Sequence, residues 1–125
     1  MANDKHFAQL KKGVDAWNIW RATSPDVVPD LRHALLSEAN LRGAYLGEAD
    51  LSGADLRAAR LSATELSRAN LTRACLHRAQ LNGANLSDAV LDEADFSGSS
   101  LNWASLRACR KEVFSRTQTK GRPSQ

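Results

Sequence analysis

The chain is poor in cysteine. Of its 125 residues only Cys75 and Cys109 carry thiols, too few for a disulfide framework in a domain of this size. It also lacks long hydrophobic runs: none approaches the roughly 18 residues of a membrane span, so a transmembrane helix is not expected. The opening residues, MANDKHFAQLKKG, have neither the continuous apolar stretch nor the small-residue cleavage site of a secretory leader. These absences predict a reducing, cytoplasmic setting with no membrane contact. Disorder of the whole chain is excluded by a globular balance, 42% hydrophobic and 25% charged.

A large charge of one sign is missing as well. The formal net charge is +3, and its distribution is uneven. Residues 29–108 carry eight basic and ten acidic groups, whereas residues 109–125 carry five and one. The basic isoelectric point therefore belongs to the tail, and nucleic acid is expected only as a weak contact of that tail. No P-loop, GxGxxG, GxSxG, CxxC or HxxxH pattern occurs. No cofactor and no metal are expected, and the chain does not read as an enzyme.

What the chain does have is a repeat. A large apolar residue recurs every five positions from residue 31: Leu31, Leu36, Leu41, Leu46, Leu51, Leu56, Leu61, Leu66, Leu71, Leu76, Leu81, Leu86, Leu91, Phe96, Leu101 and Leu106. Two positions before each stands a small residue, almost always alanine, with Thr64 and Ser99 as exceptions and Pro29 at the start. A period of five suits neither regular element. On an α-helix each step of five turns ~500°, so successive leucines rotate ~140° and line no single face. On a strand an odd step alternates faces. All the leucines point inward only if the chain turns a corner in every unit and winds around an axis. Each coil then pairs its backbone with the next, about 4.8 Å away.

Units such as ADLSG, ANLTR, ANLSD and ADFSG resemble the A(D/N)LXX pattern of the pentapeptide-repeat family. The resemblance covers residues 29–108. It implies an all-β solenoid, a right-handed quadrilateral β-helix with four units per coil and about four coils. Leu35, Tyr45, Arg60, Cys75 and Val90 depart from Asp or Asn before the centre, which puts local corner geometry in question but not the fold. Charges twenty residues apart, Glu48 with Arg68 and Asp88 and Arg73 with Glu93, favour four sides only weakly. A three-sided coil would instead pair Arg73 with Asp88 and Arg78 with Glu93.

Stacked coils need caps. Over residues 4–22, Phe7, Leu10, Val14 and Trp17 fall within about 80° of a helical wheel. This predicts one amphipathic helix across the first coil, with residues 1–28 as cap and linker and with Leu35 and Tyr45 packing beside it. At the other end, residues 109–125 are expected to form a short helical cap, with Val113 and Phe114 covering the last coil, followed by a disordered basic tail from Ser115. Val90 and Trp103 point outward by register. With Val113 and Phe114 they make a candidate interface, and a homodimer through the C-terminal end is the assembly they suggest.

One wall brings chemistry-bearing residues together: Cys75 and His77, with Asp55 and Asp95 in the Cys75 column and Arg57 beside His77. A flat wall offers no pocket to exclude water, so ordinary surface side chains are the expectation. Cys75 and Cys109 lie about 8 Å apart along the axis by register, beyond the ~7 Å reach of a disulfide. The charges are banded: residues 30–55 sum to −3, residues 57–78 to +4 through an arginine belt, and residues 88–107 to −3. The expected function is a non-enzymatic, rigid protein-interaction or scaffold module with a protein partner. The resemblance also implies an alternative, a DNA-mimicking binder of DNA gyrase. Mimicry needs a long and continuously acidic surface, so length and charge both disfavour it.

Overall fold

The computed structural model describes residues 1–110. The backbone winds in coils of twenty residues. Thirteen parallel bridges join each coil to the next, from Asp30 with Asp50 to Val90 with Arg110, and every one spans twenty positions. Twenty divided by the five-residue period gives four units per coil. The bridges are isolated, so each wall is a single short pairing site between corners rather than a long strand.

The unit explains itself through its five N–H groups. In the unit centred on Leu51, the N–H of Leu51 donates to Asn70 O at 2.8 Å and that of Gly53 to Thr72 O at 2.8 Å, both in the following coil. The N–H of Asp50 donates to Pro29 O in the preceding coil at 2.8 Å, and that of Ala54 closes the corner onto Leu51 O at 3.0 Å. Only the N–H of Ser52 is left, and the Asp50 carboxylate accepts it at 3.1 Å. The same side-chain cap recurs at Asp30, Asn40, Asp55, Glu65, Asn70, Asn85 and Asp95. The Asp or Asn of the repeat is therefore a backbone cap at the corner.

The third residue of each corner has positive φ. Twelve of these are not glycine, from His33 to Ala108, with φ between 56° and 64°. Positive φ at this one position, with the hydrogen bond closing from the fourth residue to the first, is the pattern of a type II turn. The departures leave it intact: Ala63 before Thr64 has φ 57°, and Gly98 before Ser99 has φ 69°.

All sixteen centres lie inside. Leu106, in the last coil, is the most exposed of them at 9%. The small positions fill the inner corners in columns such as Ala34, Ala54, Ala74 and Ala94, all buried. Thr64 is buried with its hydroxyl donating to Leu41 O at 2.9 Å, and Ser99 donates to Phe96 O at 2.6 Å. Cys109, assigned from sequence to a C-terminal cap, instead continues the inward column below Ala49, Ala69 and Ala89. Its thiol donates to Leu86 O at 2.9 Å, as Thr64 does one wall away. A thiol is small and apolar enough for that corner. Val113, Phe114, the rest of the C-terminal cap and the tail lie outside the described residues.

The N-terminal cap is two helices, not one. α1 (Asp4–Lys11) begins at Asn3, whose side chain accepts from the N–H groups of Lys5 and His6, and α2 (Val14–Thr23) follows Gly13. Gly13 has φ 112° and ψ 164°, a region open essentially to glycine, and this breaks the expected single helix. The expected inward face survives the break: Leu10 and Trp17 are buried, and Phe7 and Val14 pack against the core. His6 of α1 meets Trp20 of α2 at a ring-centroid distance of 5.3 Å, tilted by 50°, which joins the two helices, and Trp20 in turn meets Trp17 at 5.0 Å. Leu35 and Tyr45 do not pack beside them as expected. They remain 73% and 51% exposed, because the helices bond to backbone atoms on this edge instead.

Candidate functional site

The first coil would present unpaired backbone groups to solvent, and the helices meet several of them. Trp17 Nε1 donates to Tyr45 O at 2.8 Å. Asn18 takes both roles, donating to Gly43 O at 3.1 Å and accepting from Tyr45 N at 2.8 Å. Arg21 donates to Gly47 O at 3.2 Å and to Val27 O at 2.6 Å. His6 Nδ1 accepts from Asp30 N at 2.9 Å, so a neutral ring carries its proton on Nε2. Burial lowers the pKa of the Arg21 guanidinium, against a smaller raising effect of Glu48. Sequence reasoning missed His6, Asn18 and Arg21. Their signal is polar groups on the helix face turned toward an edge, which has no periodicity.

The four walls are set by their central residues: Leu31 to Leu91 on the first, Leu36 to Phe96 on the second, Leu41 to Leu101 on the third and Leu46 to Leu106 on the fourth. The Asp55, Cys75 and Asp95 column exists on the second wall, but its two carboxylates are engaged elsewhere, Asp95 accepting from Ser97 N at 2.9 Å. Asp55 holds Arg57 at 2.7 Å, and His77 Nδ1 meets Ser97 Oγ at 2.8 Å. Neither cysteine is in a disulfide, and no cluster of three metal-ligating side chains occurs among the described residues. The depressions are shallow. One, of about 260 Å³, runs beneath the cap between Met1, Phe7, His33 and Leu35.

Ion pairs form both within a unit and between coils. Arg32 binds Asp30 at 2.9 Å and Arg57 binds Asp55 at 2.7 Å. These hydrogen bonds, more than burial opposes them, hold the carboxyls of Asp30 and Asp55 below the usual carboxylate range. Of the columns expected for four sides, Arg68 pairs with Glu48 at 3.8 Å and Arg73 with Glu93 at 2.8 Å, while Asp88 forms no ion pair with Arg68. Arg110 meets Asp92 at 3.0 Å. The arginines of these pairs are exposed, so solvent screens the pairs and each adds little to stability.

Of the proposed interface residues, Trp103 is 81% exposed at a corner of the last coil and Val90 is half-buried on the first wall. Val113 and Phe114 are outside the described residues, so the structure brings only these two into view. They stand on different walls. No helix among the described residues is long and apolar enough to cross a membrane.

Comparison with known proteins agrees with the geometry. The profile of the family described as pentapeptide repeats matches eight copies over residues 34–73, 49–88 and 74–110. A pentapeptide repeat protein from the Arabidopsis thaliana thylakoid lumen is 24% identical, with a TM-score of 0.52 over 74% of this chain and 58% of its own. A pentapeptide repeat protein from Nostoc PCC 7120 is 32% identical over 73% of this chain and 83% of its own, at a TM-score of 0.45. HetL from Nostoc sp. strain PCC 7120, involved in heterocyst differentiation regulation, is 38% identical over 73% of this chain and 40% of its own, at 0.39. This chain thus spans little more than half the length of the Arabidopsis protein. No curated protein matches it. Eight profile copies, the twenty-residue bridge register and the fold of the Arabidopsis neighbour lead to one conclusion: the chain belongs to the pentapeptide-repeat family, and its fold is the right-handed β-helix solenoid of that family.

Proposed function

We propose that the chain is a non-enzymatic interaction module that binds a protein through its outer walls. The observation that carries this reading is the use of the backbone. In the capped units of Asp50, Asp55, Glu65, Asn70 and Asn85 all five N–H groups are bonded within the solenoid, and the inward positions are packed. What the walls of these units offer for recognition is chiefly their outward side chains. They stand on a fixed lattice, about 4.8 Å from coil to coil and about 6.6 Å between alternate residues along a wall. Such a surface needs no ordering on binding, which favours recognition by flat contact rather than enclosure. Full-length chain would be used to capture proteins from the source cell, and each captured protein would then be purified and mixed with it. A stoichiometric complex by calorimetry and sedimentation is the expected result. Failure of every purified candidate to form one would overturn the reading.

A homodimer through the C-terminal end and a cytoplasmic setting belong to the same proposal. Exposed Trp103 in the last coil supports the first, and two cysteines without a disulfide between them support the second. Sedimentation velocity at rising concentration tests the dimer, and the mass of a single chain throughout would remove it. The gyrase-binding alternative has no wall to stand on. The first, second and fourth walls mix both signs, and the third carries arginine without any acid. A supercoiling assay with excess chain is expected to show no effect.

A further inference from the structure

The third wall differs from the others. Its outward residues are Asn40, Arg42, Gly43 in the first coil, then Arg60, Ser62 and Ala63, then Gln80, Asn82 and Gly83, then Ser100, Asn102 and Trp103. All ten acidic residues between positions 29 and 108 fall on the other three walls. The arginines divide in the same way. Arg32, Arg57, Arg68, Arg73 and Arg110 each have a carboxylate within 4 Å. Among the described residues Arg42, Arg60 and Arg78 have none, and all three are exposed. Arg42 and Arg60 stand on the third wall. Arg78 stands at its corner with the second, over a depression of about 370 Å³ that it shares with Gln80, Asn82, Gly98 and Ser100. Arg107 also lacks an ion pair but lies on the fourth wall.

These three arginines form a line. They are eighteen residues apart, at 42, 60 and 78, which is one coil of twenty less two. Each step descends about 4.8 Å and moves sideways by two residues, at most about 6.6 Å, and the second step crosses the corner at Arg78, so successive α-carbons are no more than roughly 8 Å apart. Alternate side chains of an extended peptide are about 6.6–6.8 Å apart and share one face. The length of an arginine side chain covers the difference. Amide side chains flank the line: Asn40 accepts from Arg42 Nε at 3.2 Å, and Gln80 lies directly below Arg60. Carboxylates bound it by register, with Glu38 at the top of the Arg78 corner and Glu65 on the fourth wall. Asp15 of α2 shares a depression with Arg42 without pairing to it.

We infer that the diagonal of Arg42, Arg60 and Arg78 is a docking line for an extended acidic segment of a protein partner, one with carboxylates at alternate positions. This rests on the protein-interaction reading above and names the wall and the chemistry it recognises. Guanidinium groups without an internal carboxylate are free to take an external one bidentately. The bounding acids restrict the occupant to something narrow. A single nucleic-acid strand fits less well, because stacking platforms for successive bases are missing along the line. Trp103, the exposed aromatic of this wall, sits in the fourth coil at the opposite corner.

The test is fluorescence anisotropy of a labelled peptide alternating glutamate and serine, with the full chain. Three variants are compared: Arg42→Gln/Arg60→Gln/Arg78→Gln, the equal charge loss Arg32→Gln/Arg57→Gln/Arg73→Gln, and the tail change Lys111→Gln/Arg116→Gln/Lys120→Gln. All these sites are exposed or lie in the tail, and thermal melts verify folding. The expected result is salt-sensitive binding weakened about tenfold or more by the first variant, and about twofold or less by the other two. Equal weakening by the first two variants would overturn the assignment. So would absence of peptide binding, or tighter binding of an oligouridylate strand that the first variant abolishes. If a purified partner still bound the first variant at full strength, the docking line would fall while the interaction module stood.

Discussion

Ala58, Ala63 and Ala108 occupy corners with φ of 58°, 57° and 56°. A left-handed backbone costs an L-residue about 1–2 kcal/mol, and glycine is free of that penalty. All three side chains are exposed, so their methyl groups contribute little burial. Replacement by glycine relieves the corner but gives the unfolded chain more freedom, which takes back about 0.4–1 kcal/mol. The balance is a gain of about 0.5–1 kcal/mol per site. The three corners belong to different walls and share no partner, so the effects should add, to about 1.5–3 kcal/mol. For a domain of this length that raises Tm by about 6–12 °C. The comparison variant is Ala59→Gly, one residue along from Ala58, buried and without positive φ. It suffers the same entropic loss with no relief and should destabilise by about 1–2 kcal/mol. Thermal and urea unfolding followed by circular dichroism measure both. A triple glycine variant melting at or below the parent temperature would refute the corner argument.

Three further outcomes follow from the same geometry. Ala54→Leu or Ala74→Leu puts extra methylenes into a buried column whose coils are held about 4.8 Å apart by hydrogen bonds, and overpacking should destabilise by about 1–3 kcal/mol; a parent-like melting temperature would contradict this. Arg21→Met removes the donors to Gly47 O and Val27 O, so the cap should loosen by about 1–2 kcal/mol, seen as faster hydrogen exchange in α2 with the lower coils unchanged. Arg57→Gln should raise the Asp55 pKa toward the ordinary carboxylate value, read by carboxyl NMR titration. The sign is fixed by the direction of the shift: a depressed folded-state pKa gives stability that is present above the unfolded value and lost as pH falls through the folded one, so only the acid limb of the stability profile should change.

The inward half of this protein was legible because it obeys one rule. Every centre from Leu31 to Leu106 has the same job, and five-residue spacing admits one way to perform it. The capping role of the Asp and Asn residues was not legible. The motif marks their position, but only the tally of N–H groups shows that residues such as Asp50 and Asp95 bond the backbone two positions on. The single helix expected over residues 4–22 failed at one glycine. Glycine inside a helix costs only about 1 kcal/mol, so sequence weighs it lightly, and the apolar face at Phe7, Leu10, Val14 and Trp17 looked continuous across the break. Cys109 was misplaced for the opposite reason. The repeat lost its leucine at Lys111 while the backbone kept its register to Arg110.

The charges show why the outer surface is harder to read than the core. In sequence, Arg57, Arg60, Arg68, Arg73 and Arg78 make one belt, and the belt spreads over all four walls. Sorting them requires knowing which acid each can reach. A twenty-residue coil brings Glu93 to Arg73 and Glu48 to Arg68, and the corner folds Asp55 back onto Arg57. Fifteen-residue pairs such as Arg78 with Glu93 do not form. What remains after this subtraction is not a belt but a diagonal, Arg42, Arg60 and Arg78, visible only once the coil length is fixed. Burial is decided unit by unit, and each unit reports it alone. Availability for binding is a property of neighbours twenty residues away, so the same repeat that makes the fold obvious hides the surface that would use it.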